Sequence, residues 1–92
     1  MNVEIRKAAL ADSAQLFSLV ENFATSFRPE REAFDRALRH LLCDDSVLVN
    51  VSVLDENIVA YCFAFEHYAF YANGRVTWVE EIMVREDLRG KG

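Results

Sequence analysis

The sequence has little of what interrupts, cross-links or anchors a chain. Its 92 residues include one proline, three glycines and two cysteines, and no apolar run approaches the roughly 20 residues needed to cross a bilayer. Charged residues within positions 1–10 exclude a signal-peptide core there. With 52% hydrophobic and 27% charged residues, the composition is that of one small folded domain and not of a disordered tail. We therefore expect a cytoplasmic globular protein that spans no membrane.

The cysteines and the net charge narrow the function classes further. Cys43 and Cys62 lie neither in a CxxC pair nor near a histidine at metal-ligand spacing, so we predict reduced, buried thiols and no metal site. The net charge of −5 opposes binding to nucleic acid or to an anionic membrane and favours a cationic small molecule.

The first half of the chain predicts a strand followed by two helices. Val3 to Lys7 alternates apolar and charged residues, as a half-buried strand does. Asp12 and Gln15 resemble a capping box, and the apolar stripe that follows predicts a helix over Asp12–Phe23. Pro29 suits the first turn of a second helix, which carries its own apolar stripe.

From Ser46 onward the period changes to two, which indicates strands. The segment 55–57 turns the chain into a second long strand, 58–68, and Asn73-Gly74 is a typical hairpin turn before a third, 75–84. The order β-α-α-β-β-β predicts a layered α/β (α+β-like) domain with an antiparallel meander.

The middle strand of the meander has two different apolar faces. Aromatic residues occupy one face and small residues the other, and we expect the helices on the small side. The aromatic residues here and in the next strand are interpreted as core: Tyr61, Phe63, Phe65 and Trp78.

The last residues of the chain combine glycine with positive charge. Gly90 and Gly92 follow a predicted strand and permit the close backbone approach that lets N–H groups point at one anion, and Arg89 and Lys91 add charge. This favours a phosphate-binding turn, with an ordinary exposed loop as the alternative. The spacing matches neither a Walker loop nor a dinucleotide fingerprint.

Read with the strand before it, the segment from Val79 to Gly92 resembles the signature of the GNAT superfamily of N-acetyltransferases. The acetyl-CoA segment of that family reads [QR]-x-x-G-x-[GA], and 89–92 supply its first four positions. The resemblance implies a GNAT-type mixed, mostly antiparallel sheet. It also implies that 1–92 is the N-terminal portion of one acyl-CoA N-acyltransferase domain, without its C-terminal β-α-β part and therefore inactive alone.

The resemblance implies acetyl-CoA as cosubstrate, no metal, and transfer of the acetyl group directly to a primary amine. Its pyrophosphate would be bound by Arg89, Gly90, Lys91 and Gly92, and its pantetheine arm by the backbone of Ile82, Met83 and Val84.

Two acids on the same strand are the candidate general base or amine anchor, because a carboxylate can take the proton of a protonated amine. Adjacent strand residues point to opposite faces, so at most one of Glu80 and Glu81 faces the amine unless a bulge intervenes. We expect Glu80, which shares a face with Ile82 and Val84 on a regular strand. The alternative is that both are surface acids.

Other residues are candidates for acceptor binding. Phe27 and Arg28 border the acceptor by resemblance, and His67 and Tyr68 end the strand before the Asn-Gly turn. The aromatic third strand and paired acids are similar to those of diamine and polyamine acetyltransferases, so a small amine or polyamine is expected over a protein. Dimers are common in the family, which makes a homodimer an expectation. The alternative is a noncatalytic acyl-CoA-binding or interaction module of the same fold.

Overall fold

The computed structural model describes residues 3–23 and 28–88 as two helices against one four-stranded sheet. Short 3₁₀ turns precede the first helix and follow the third and fourth strands. The elements are β1 (Val3–Lys7), α1 (Ser13–Phe23), α2 (Arg31–Leu42), β2 (Val47–Leu54), β3 (Asn57–Ala69) and β4 (Gly74–Val84). The order β-α-α-β-β-β and the mixed α/β class are confirmed.

The sheet has the strand order β1-β2-β3-β4, and every neighbouring pair is antiparallel. Leu54 pairs with Asn57, so the β2–β3 hairpin has a two-residue loop, in which Asp55 and Glu56 both have positive φ (51° and 67°). This is the backbone of a type I′ turn, whose twist suits a hairpin. The β3–β4 hairpin closes through 70–73 and not through Asn-Gly as a two-residue turn.

Both helices pack on the aromatic face of β3, so the expectation that they cover the small side is wrong. Tyr61 is buried in one cluster with Leu16 of α1 and Leu38 of α2, and Phe63 packs against that cluster. A strand that is apolar on both faces carries no sequence signal for which face meets the helices. The aromatic face meets the helices here because its large side chains fill the space between helices and sheet.

The start of α1 is fixed by bonds that differ from the expected capping box. Asp12 accepts hydrogen bonds from both terminal nitrogens of Arg6, at 2.8 and 2.9 Å, and from the Ala9 backbone N–H at 2.8 Å. The Arg6 hydrogen bonds hold the pKa of this buried carboxyl below its usual range. Gln15 accepts from the Ile58 backbone N–H at 2.7 Å and so ties α1 to β3.

Two residues that were expected to be buried, Trp78 and Cys43, are exposed. Trp78 is 55% exposed and not part of the core, because β4 has no strand on its outer side in the described part of the chain. Cys43 is exposed where a buried thiol was predicted, while Cys62 is half-buried, and both are free. No helix within 3–23 or 28–88 is long and apolar enough to cross a membrane.

Candidate active site

The centre of the candidate site is an irregularity in β4. Glu81 pairs with Phe63, but Val79 pairs with Ala64, so Glu80 is an extra residue with no partner position on β3. One additional residue on one strand is a β-bulge, which bends the strand and re-aims its side chains. The premise that both acids lie on a regular strand is therefore wrong.

The bulge places Glu81 on the side of the sheet that faces the helices. Cross-strand partners share a face, so Glu81 lies beside Phe63. Tyr61 is the next residue of β3 on the same face. The Tyr61 hydroxyl donates a hydrogen bond to Glu81 Oε1 at 2.9 Å. Burial, and then the Glu81 carboxylate, raise the pKa of Tyr61 far above its usual range. The hydroxyl thus stays protonated and remains a donor to Glu81.

Glu80 has a different environment. Like Glu81, it is exposed, but its Oε2 accepts a hydrogen bond from Trp78 Nε1 at 3.2 Å. Neither group belongs to the buried cluster between helices and sheet. Both carboxylates are exposed, and they differ in their partners, since Glu81 contacts the buried Tyr61 and Glu80 contacts the exposed Trp78.

Glu81 lines a cavity of about 560 Å³ between the helices and the sheet, which we call the α1–α2 pocket. Its walls come from α1, from residues 28–30 just before α2, from α2 itself, and from β2, β3 and β4. The described lining residues are Leu16, Val20, Arg28, Pro29, Glu30, Ala33, Phe34, Ala37, Leu38, Leu41, Val49, Tyr61, Phe63 and Glu81. The pocket is thus largely apolar, with a carboxylate from the sheet in its wall.

Arg28 and Glu81, both predicted from the sequence as site residues, line this pocket. Arg28 is exposed and precedes α2. On β4, Met83 pairs with Tyr61 and packs against the core, whereas Ile82 points to the opposite face and is 65% exposed. Val84 ends the strand opposite Ala60.

His67 and Tyr68 do not line the α1–α2 pocket. His67 lies four positions after Phe63, about 14 Å along a strand. The His67 ring lies 5.7 Å from that of Phe65, and Tyr68 is 77% exposed with the Arg75 guanidinium 5.9 Å from its ring. Their predicted role in acceptor binding stays a prediction.

Five predicted site residues lie outside the described residues: Phe27, Arg89, Gly90, Lys91 and Gly92. Their assignments stay predictions. Within 3–23 and 28–88, no three His, Cys, Asp or Glu side chains are grouped so that they could hold a metal ion.

The sequence interpretation missed Tyr61 as a polar contributor, since it treated that residue as core only. Tyr61 is core, with 6% of its surface exposed, and its hydroxyl is a donor to the site as well. A buried tyrosine usually needs a hydrogen-bond partner. That rule could have pointed to an acid on the neighbouring strand, although the bulge decides which one.

A scan against protein-family models and a search of curated proteins found no match. Solved structures do match. Ribosomal-protein-alanine N-acetyltransferase from Brucella melitensis biovar Abortus 2308 aligns with all of this chain and 63% of its own, at 25% identity and a TM-score of 0.77. A GNAT family acetyltransferase from Staphylococcus aureus aligns with all of this chain and 69% of its own, at 14% identity and a TM-score of 0.86.

A third match is glucosamine-6-phosphate N-acetyltransferase from Arabidopsis thaliana, which covers 99% of this chain and 65% of its own, at 23% identity and a TM-score of 0.78. The described fold is thus that of GNAT acetyltransferases. The chain spans less than two thirds of the length of two of these three proteins.

Proposed function

We propose that the whole protein containing these residues is an acetyl-CoA-dependent N-acetyltransferase, and that Glu81 binds and deprotonates the acceptor amine. The observation that carries the proposal is the Glu81 carboxylate, held by the Tyr61 hydroxyl in the wall of the α1–α2 pocket. The fold shared with acetyltransferases supports the reaction class.

Glu81 suits the chemistry that transfer to an amine requires. An alkylamine with a pKa near 10.4 is mostly protonated at neutral pH and has no free lone pair. The ammonium group would bind against the carboxylate, which then takes one proton directly or through a water molecule. The neutral amine attacks the thioester carbonyl carbon, an N–C bond forms, and the C–S bond breaks. The thiolate that leaves is protonated, and the amide product loses its remaining extra proton.

The backbone of β4 suits the cosubstrate, since acetyl-CoA supplies the activated acyl group and an arm that carries two amides. No strand pairs with the outer side of β4 in the described part of the chain. An amide-bearing ligand can pair with such an edge as a strand would. Ile82 and Met83 are candidates for that pairing, and Arg89 to Gly92 remain candidates for the pyrophosphate.

The test is thiol release by the whole protein from acetyl-CoA with a panel of primary amines, comparing Glu81→Gln with Glu80→Gln. Removal of a general base typically lowers the rate about 10²–10⁴-fold, so we expect Glu81→Gln to lower kcat at least about 100-fold. Affinity for CoA, measured by calorimetry, should stay within about threefold, because glutamine keeps the size of the side chain. Glu80→Gln should have a much smaller effect.

Glu66→Gln is the matched control. Glu66 lies on the opposite face of the sheet, paired with Arg75 at 3.2 Å, and its change should leave turnover intact. Equal losses in the Glu80 and Glu81 variants would contradict the assignment of the base. Binding of CoA without thiol release for any amine would favour a noncatalytic module instead.

A further inference from the structure

The side chains that line the α1–α2 pocket limit the charge and polarity of the acceptor more than the reaction itself does. Of the 14 described residues that line the pocket, 11 have no charge: Leu16, Val20, Pro29, Ala33, Phe34, Ala37, Leu38, Leu41, Val49, Tyr61 and Phe63. The three charged ones are Arg28, Glu30 and Glu81. All three are exposed, and Arg28 and Glu30 lie just before α2.

From this lining we infer that the acceptor is a monoamine whose amino group is carried on an apolar body, aliphatic or aromatic. The acetyl-transfer part of this inference rests on the proposed function, whereas the binding preference rests on the pocket alone. Of the described lining residues, Glu81 is the acid that comes from the sheet, and one carboxylate matches one ammonium group.

A polyamine fits this lining poorly, contrary to the expectation from sequence. Its second ammonium group would lie against leucine, alanine and phenylalanine side chains, and burying a charge without a partner is strongly unfavourable. Glu30 adds a second negative charge to the lining, but Arg28 also lines the pocket and offsets that charge. The acids and the base among the described lining residues therefore have a net charge of −1, which balances a single cation.

The volume of about 560 Å³ lies within the range usual for small-molecule sites. An apolar body gains affinity there by leaving water, at about fourfold for each buried methylene group. Phe34, whose ring meets Phe17 edge-to-face at 5.5 Å, presents a fixed aromatic surface on one wall. The acceptor would therefore be selected by the size of its apolar part, with Glu81 binding its single charge.

The test compares hexylamine with 1,5-diaminopentane, which has the same number of non-hydrogen atoms but two ammonium groups. We expect the whole protein to bind hexylamine at least about tenfold more tightly in calorimetry and to acetylate it with a correspondingly higher kcat/KM. From butylamine to hexylamine, the dissociation constant should fall about threefold to fourfold per methylene group.

A variant of the pocket wall sharpens the test. Ala37 is exposed on α2 and lines the pocket, so Ala37→Glu adds a third carboxylate to the lining without entering the core. It should shift the binding preference toward 1,5-diaminopentane about tenfold, because the second ammonium group of the diamine then has a carboxylate partner. Ala14→Glu is the control, because Ala14 is an exposed helical alanine that does not line the pocket. The Ala14→Glu protein should prefer hexylamine over 1,5-diaminopentane as strongly as the unmodified protein does.

The outcomes separate this inference from the proposed function. Tighter binding of hexylamine with no thiol release would contradict the acetyltransferase and leave the pocket preference intact. Acetylation of 1,5-diaminopentane as efficient as that of hexylamine, or no binding of either amine, would overturn the inference. So would an Ala37→Glu protein with normal thermal stability and an unchanged preference.

Discussion

At the scale of single residues, the hydrogen bond between Tyr61 and Glu81 links the hydrophobic core to the candidate active site. Tyr61 has a ring in the hydrophobic cluster and a hydroxyl that donates to a carboxylate in the wall of the α1–α2 pocket. A donor fixed by packing orients its acceptor at little entropic cost. The side chain most directly responsible for the direction of Glu81 is therefore a core residue.

We predict that Tyr61→Phe lowers kcat about tenfold or more and leaves KM for acetyl-CoA nearly unchanged. The ring keeps its packing, whereas a hydrogen bond to a charged group, worth about 1.5–3 kcal/mol, is lost. Because the pKa of Tyr61 is raised far above neutral, its own ionisation should add no limb to the pH–rate profile between about pH 6 and 9. Steady-state kinetics across this range are the measurement.

Tyr71→Phe is the control, since Tyr71 is 81% exposed beyond the end of β3. It should have the kinetics of the unmodified protein. A Tyr61→Phe protein with unaltered kcat would show that Glu81 needs no orienting donor.

At the scale of elements, the β2–β3 hairpin contains a strained position. Glu56 has a φ of 67° in a two-residue loop, a region that disfavours any residue with a Cβ. We predict that Glu56→Gly raises the free energy of unfolding by about 0.5–1 kcal/mol, because Asp-Gly is a preferred pair for such a turn. Urea denaturation followed by circular dichroism measures the change.

The same substitution in a helix should have the opposite sign. Glu32 is exposed in the first turn of α2, and Glu32→Gly should lower the free energy of unfolding by up to about 1 kcal/mol. If Glu56→Gly also destabilises the protein, the positive φ at this position carries no strain.

The elements themselves could be predicted from the sequence, since periodicity and turn residues are local signals. Residues 3–7 form the expected strand, and α1 ends at Phe23 as predicted. The bulge at Glu80 could not be predicted, because it depends on how β4 pairs with β3 and no glycine or proline marks it. That single irregularity also decides which of the two neighbouring acids faces Tyr61, and the sequence alone could not make that choice.

At the scale of the whole molecule, the sheet face opposite the helices is open in the described part of the chain. Large apolar side chains exposed on it include Val3 (47%), Ile5 (72%), Val79 (53%) and Ile82 (65%). Apolar surfaces of this kind usually mark contacts. The two helices cover the other face, so the sheet is apolar on both sides but covered on one.

We predict that the 92 residues, expressed on their own, associate through this open face and release no thiol from acetyl-CoA. Ile5→Lys should weaken the association about tenfold, because a lysine charge must be desolvated at the contact. Sedimentation velocity over a range of concentrations measures it.

Leu10→Lys serves as the control, since Leu10 is 52% exposed but precedes α1 and lies outside the sheet. Its sedimentation should match that of the unmodified chain. Association that both substitutions weaken equally would point to a general effect of added charge.

The β-bulge is what gives the two neighbouring glutamates different positions in the ladder. If Glu80 paired with Phe63 and Glu81 became the extra residue, Ile82 would still pair with Cys62 and Val79 with Ala64, as they do now. Every other pair in the ladder would be preserved, and a carboxylate would again lie next to Tyr61. The proposed role of Glu81 therefore depends on the bulge staying at Glu80, and the comparison of Glu81→Gln with Glu80→Gln also tests the position of the bulge.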